Sequence, residues 1–179
     1  FPNLLLKRDN DGWCMTHIAA RCNNWEVLET ILEPAGGASQ NNCMLGWNEK
    51  DNLERTALHI AGLYGNLNVC KYMVRRFPQI IIERDVYGCL ACTLAAKGGN
   101  FKVFCLLFDR SLEIITNDDK TNISEAARQS INPNMMTLIT EKYTDLQLGE
   151  HVLQTNRNDA GIHLNMLTEA SCNTIESTF

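Results

Sequence analysis

The sequence predicts an all-α solenoid of stacked helix-turn-helix units. Three observations predict it. A lead-in phrase is written twice, as Phe1-Pro2-Asn3-Leu4-Leu5-Leu6-Lys7-Arg8-Asp9 and as Phe77-Pro78-Gln79-Ile80-Ile81-Ile82-Glu83-Arg84-Asp85, each with a glycine to follow at Gly12 or Gly88. The copies stand 76 residues apart, roughly two units of an array whose period is about 33. Between and after them, short Ala-rich segments alternate with apolar segments of helical spacing. Repetition at such a period means units that pack only on their neighbours. The first copy reads as the tail of a unit, so the chain is expected to continue upstream.

The first full unit runs from Gly12 through Thr16-His17-Ile18-Ala19-Ala20, then Trp25-Glu26-Val27-Leu28-Glu29-Thr30-Ile31-Leu32. The second is Arg55-Thr56-Ala57-Leu58-His59-Ile60-Ala61-Gly62, then Leu67 to Val74. The third is Gly88-Cys89-Leu90-Ala91-Cys92-Thr93-Leu94-Ala95-Ala96, then Phe101 to Leu107. A weaker fourth is Thr121 to Ala127, then Met135 to Ile139. Aligned on Ala19, Ala61, Ala95 and Ala126, the spacings are 42, 34 and 31. The first therefore carries an insertion of about nine residues and the last is contracted. Helix pairs are expected through about 14–33, 57–75, 91–108 and 122–141.

Each element has a local reason. The small pairs Ala19-Ala20 and Ala95-Ala96 let neighbouring helices approach. Gly65 and Gly99 stand where a helix stops and the chain reverses. Val69, Cys70, Met73 and Val74 form one apolar stripe. Asp9, Asp51 and Asp85 mark turns with Gly12 and Gly88. Glu54 replaces that glycine in the second unit, which predicts a distorted turn there.

Thr56-Ala57-Leu58-His59-Ile60-Ala61 carries a resemblance to the ankyrin repeat, a turn followed by T-P-L-H-x-A and two helices. The other copies depart from the pattern: Cys14-Met15-Thr16 precedes His17, while Thr93 and Ser124 stand where the histidine should be. The resemblance covers residues 1–143, with 144–179 as a C-terminal capping segment or a degenerate fifth repeat. It implies that His17 and His59 hydrogen-bond turn backbone and serve no chemistry.

At 45% hydrophobic residues the chain can bury a sizeable core. Its net charge of −5 argues against a nucleic-acid or anionic-membrane surface. No apolar stretch reaches the roughly 18 residues of a membrane span. The eight cysteines form no regular disulfide framework. Cys70 and Cys92 fall on core positions and Cys105 on an outward one. Buried single thiols fit a reducing compartment, so the expected location is the cytoplasm, with the nucleus or the cytoplasmic part of a membrane protein as alternatives. Cys14, His17 and Cys22 have ligand chemistry in isolation, and Cys89-x-x-Cys92 is half a zinc site, but no second pair follows at a suitable spacing. No catalytic motif, metal site or cofactor is expected. Asn122-Ile123-Ser124 matches a glycosylation acceptor that an intracellular repeat leaves idle.

What remains is surface. In ankyrin-like repeats the turn tips and inner helices line a concave, protein-binding face. The resemblance puts Asn10, Asp11, Trp13, Arg21 and Cys22 there, then Asn52, Leu53, Arg55, Leu63 and Tyr64, then Val86, Tyr87, Cys89, Lys97 and Gly98. The partner-binding set is Trp13, Arg21, Leu53, Arg55, Leu63, Tyr64, Tyr87 and Lys97, with Trp13, Leu53, Tyr64 and Tyr87 as apolar anchors. Alternatively these side chains cover neighbouring turns within the array. The insertion at 34–47 begins flexible by composition and ends in Met44, Leu45 and Trp47, which either fold back on the next repeat or serve a partner. Beyond Tyr143, Leu146, Leu148, Val152 and Leu153 fit one more helix, and Leu164, Leu167 and Ala170 a short helical face. The expected function is a non-catalytic protein-interaction module. The alternatives are a regulatory segment of a larger channel or enzyme, or the targeting repeats of a pathogen effector.

Overall fold

Neighbouring turns are stitched by backbone hydrogen bonds: Asn52 N–H donates to the Asp11 carbonyl and Val86 N–H to the Leu53 carbonyl, at 3.1 and 2.9 Å. These turns are the fingers of a helical array. A computed structural model describes residues 7–32, 46–130 and 132–144. The chain divides into two compact units, 1–136 and 137–179. In the first, α1 (Met15–Arg21) and α2 (Trp25–Leu32) are followed by α3 (Ala57–Tyr64) and α4 (Leu67–Arg76). A 3-10 turn (Pro78–Ile82) then leads to α5 (Ala91–Lys97), α6 (Phe101–Ser111) and α7 (Asn117–Gln129). A last helix, α8, runs 134–144. Among the described residues there is no strand.

The inner helices α1, α3, α5 and α7 pack in succession, and the outer helices α2, α4 and α6 form the second row. Leu58, Ile60, Ala61, Val69, Cys70 and Met73 lie fully buried between the rows, as the apolar stripe predicts. Gly65 ends α3 in the left-handed conformation at φ 75°, the expected stop.

Each finger is built on its aspartate. Asp9, Asp51 and Asp85 accept two finger N–H groups through Oδ1, at 2.8–3.0 Å. Their own N–H groups donate to the carbonyls of Trp13, Arg55 and Cys89. Gly12 and Gly88 close the first and third fingers at φ 79° and 73°. The second is not distorted: Glu54 adopts φ 58°, and its N–H donates to the Asp51 carbonyl at 2.9 Å. The network around Asp51 holds a non-glycine residue in a conformation that costs about 1–2 kcal/mol.

The repeat histidines bridge units. Thr56 N–H donates to His59 Nδ1, so Nε2 carries the proton and donates to the Cys89 carbonyl of the next repeat at 3.1 Å. His17 does the same one repeat earlier, reaching the Arg55 carbonyl at 2.9 Å. A second tie uses asparagine. Asn66 Nδ2 caps the Ala20 and Arg21 carbonyls, and Asn100 Nδ2 those of Gly62 and Leu63.

The fourth repeat departs from the expected register. Its helix begins at Asn117, not near 122, and Asp119, not Ser124, holds the place of the repeat histidine, in a capping box with Thr116. The Asp119 carboxylate accepts from Thr116 N–H at 2.7 Å and from both terminal nitrogens of Arg84. An arginine–carboxylate pair thus joins the third and fourth repeats, where Thr93 offers no imidazole.

The lead-in phrase has a structural use. Phe77 is buried, Pro78 opens the 3-10 turn, and Ile80 and Ile81 point into the core. Trp47, at the end of the insertion, stacks on Phe77 with ring centroids 5.8 Å apart. That is the fold-back alternative for this residue. Met44 and Leu45, the first lead-in copy at 1–6, and the segments expected beyond 144 lie outside the described residues.

Candidate interaction surface

Four of the eight expected partner-binding residues come together along the inner face. The Arg21 guanidinium lies 5.6 Å from the Trp13 ring and 5.3 Å from the Tyr64 ring. Arg55 approaches Trp13 from the next finger, at 6.0 Å. Arg55 is itself held by Asp51, through Nε–H at 2.8 Å and a terminal nitrogen at 2.7 Å. Burial opposes the Asp51 carboxylate, but Arg55 and the finger N–H groups outweigh it and hold its pKa below the usual range. Sequence reasoning named these residues without their pairing, because the contacts join residues of two neighbouring repeats.

The finger tips and the end of α3 carry exposed apolar groups. Tyr87 is 71% exposed, Val86 53%, Tyr64 48% and Leu53 37%. Leu53 and the Val86–Tyr87 pair sit on neighbouring fingers, joined by the Val86 N–H to Leu53 carbonyl bond. Trp13 differs: it is half-buried, 6.3 Å from the His17 ring, and its Nε1 is shielded without an acceptor among the described residues. It belongs as much to the packing between fingers as to the surface. Leu63 is also half-buried, and its carbonyl is occupied by Asn100. Lys97 is exposed, with Nζ 3.7 Å from Cys89 Sγ. Cys89, assigned to the open face by the resemblance, is buried, because its N–H and carbonyl are consumed by Asp85 and His59.

Other exposed apolar groups were not foreseen. Met15, Ile18 and Val27 are 43%, 45% and 36% exposed, whereas their counterparts in the next repeat, Ala57, Ile60 and Val69, are buried to within 1%. The register alone carries the signal: these positions meet the preceding repeat inside the array, and the first unit has no such neighbour among the described residues.

The thiols separate by environment. Burial pushes Cys70 up to about 12 and Cys92 up to about 11. Burial also opposes the Cys14 thiolate, but hydrogen bonds with His17 and Thr16 outweigh it. Cys14 Sγ lies 3.1 Å from His17 Nδ1, occupying the place that Thr56 Oγ1 takes beside His59. Cys22 is exposed. Among the described residues, no cluster of His, Cys, Asp and Glu could hold a metal ion.

A family model described as ankyrin repeats, in three copies, matches residues 41–118. Residues 41–118 carry ankyrin repeats. It is 30% identical over 113 residues to human "Transient receptor potential cation channel subfamily A member 1", an alignment covering 60% of this chain and 9% of that protein. It is 30% identical over 138 residues to "Leucine-rich repeat serine/threonine-protein kinase 1" of Caenorhabditis elegans, covering 64% of this chain and 6% of that one. The chain therefore spans less than a tenth of the length of either relative. Ankyrin repeats are in general protein-interaction modules. Among the described residues, no helix is long and apolar enough to cross a membrane.

Proposed function

We propose that this ankyrin array is a non-catalytic binding module that holds a protein partner on its concave face, on the cytoplasmic side of the cell. One observation carries the reading. Leu53, Tyr64, Val86 and Tyr87 stand exposed on successive fingers and inner helices, beside the Trp13–Arg21–Tyr64 ladder. Tyrosine, tryptophan and arginine are the side chains that most often dominate interface energetics. The shielded Trp13 Nε1 gains a partner if an acceptor arrives there, which adds specificity.

The test is affinity capture of a partner by the 179-residue chain, followed by titration of single variants. Tyr64→Ala and Tyr87→Ala are expected to weaken binding by about 2 kcal/mol each, roughly thirtyfold. Their melting curves should stay within about 0.5 kcal/mol of the parent. Normal binding by both variants, and by Leu53→Ala, places the site elsewhere.

The two relatives favour a second reading, in which this array is a regulatory segment of a larger channel or enzyme. The full-length coding sequence decides between the two: membrane spans or a kinase domain in the same chain favour the second.

A further inference from the structure

A groove of about 830 Å³ opens on the other side of the array, among the outer helices. Trp25 of α2 and Tyr72 of α4 form an aromatic wall, with centroids 6.4 Å apart, and Leu106 of α6 adds an aliphatic patch. Lys71 and Arg75, one turn apart on α4, share a helix face, and Arg110 of α6 joins them. Among the described residues none of these three cations is ion-paired with a carboxylate, and no carboxylate lines the groove. Three like charges gathered on a chain of net charge −5 repel one another, and an anionic occupant relieves that repulsion.

We infer that this groove is a second docking site, which takes an extended acidic segment of a protein partner. Packed helices lie about 8–10 Å apart, so three of them span roughly 20 Å. That length matches about six extended residues at roughly 3.3 Å each. Carboxylates along such a segment reach Lys71, Arg75 and Arg110 in turn. An interspersed apolar side chain rests against Trp25, Tyr72 and Leu106. A compact anion would neutralise one cation and leave the others and the aromatic wall unused.

The test uses fluorescence anisotropy of the full chain with a labelled peptide of six alternating glutamate and leucine residues. The comparison probes are the glutamine–leucine version, inorganic polyphosphate and phosphatidylserine vesicles. The glutamate peptide is expected to bind at low salt, at least tenfold tighter than the glutamine version, and to weaken as salt rises. Arg75→Gln and Arg110→Gln should each weaken it about fivefold. Tyr64→Ala and Tyr87→Ala should leave it unchanged, which separates this site from the concave face. The inference is overturned by absent binding, by equal binding of the glutamine peptide, or by parent-like binding of a folded double variant. It is also overturned if polyphosphate or vesicles bind while the peptide does not.

Discussion

Arg84 and Asp119 join the third repeat to the fourth where the histidine bridge is missing. Arg84 donates to the Gly88 carbonyl in its own finger and to both Asp119 carboxylate oxygens across the boundary. The Arg84 hydrogen bonds are the main reason that Asp119 falls to about 2, and the Thr116 N–H and hydroxyl add to it. A carboxylate whose folded pKa is depressed contributes stability above its unfolded pKa, and that contribution is lost as pH falls through the folded value. Wild-type stability should therefore drop by about 1–2 kcal/mol between pH ~4 and ~2 through this group, discounted because Arg84 is partly exposed. Urea titrations of wild type and Asp119→Asn should differ near neutral pH and converge towards pH ~2. A constant gap across that range would contradict the assignment.

His59 links α3 to the third finger while wholly buried. Replacing it with alanine leaves the buried Thr56 N–H without an acceptor and removes the cross-repeat bond to the Cys89 carbonyl, which keeps only the Asp85 N–H, a loss of about 1–3 kcal/mol. Burial is the first cause of its lowered pKa. The unfolded chain then takes up the proton more readily, so this histidine's contribution is present above pH ~6.5 and fades as pH falls below it. His17 shifts the opposite way: burial lowers its pKa, but its partners, Cys14 first, outweigh that. The quantity to measure is thus the wild-type minus His59→Ala stability from pH ~7.5 to ~5, which should shrink. An unchanged melting temperature in the variant would remove the structural role.

Glu54 is the one finger-closing residue that is not glycine where the backbone is left-handed. Glu54→Gly removes the steric cost of φ 58° but frees the unfolded chain. The expected net gain is about 0.5–1 kcal/mol. Calorimetry reads it directly, and a destabilised variant would mean that the Glu54 side chain supports the finger.

Ile18 and Ile60 occupy the same repeat position at 45% and 0% exposure. Ile60→Lys buries an unpaired ammonium between helices and should cost more than about 4 kcal/mol, enough to unfold the neighbouring repeats. Ile18→Lys should stay within about 0.5 kcal/mol. Far-ultraviolet circular dichroism melts distinguish the two, and a large loss at Ile18 would show that its face is covered in solution.

Periodicity was legible from the residues because it depends on local chemistry. Ala pairs, finger aspartates, helix-stopping glycines and the Val69–Val74 stripe each act within a few residues of their own position. The histidine role followed from its recurrence in register at His17 and His59. What only the tertiary structure decided lies between repeats. Asp119, not Ser124, took the histidine's place in the fourth repeat, where its carboxylate meets Arg84, 35 positions away. Glu54 took the place of a glycine because the Asp51 network over-determines its finger. Cys89 proved buried because His59, 30 positions back, claims its carbonyl. Trp13, Arg21 and Tyr64 formed a ladder, and Lys71, Arg75 and Arg110 a cationic groove, only once successive units were stacked. A repeat sequence specifies its unit from within, but which side chains meet across two units depends on the stacking that packing and backbone hydrogen bonds impose.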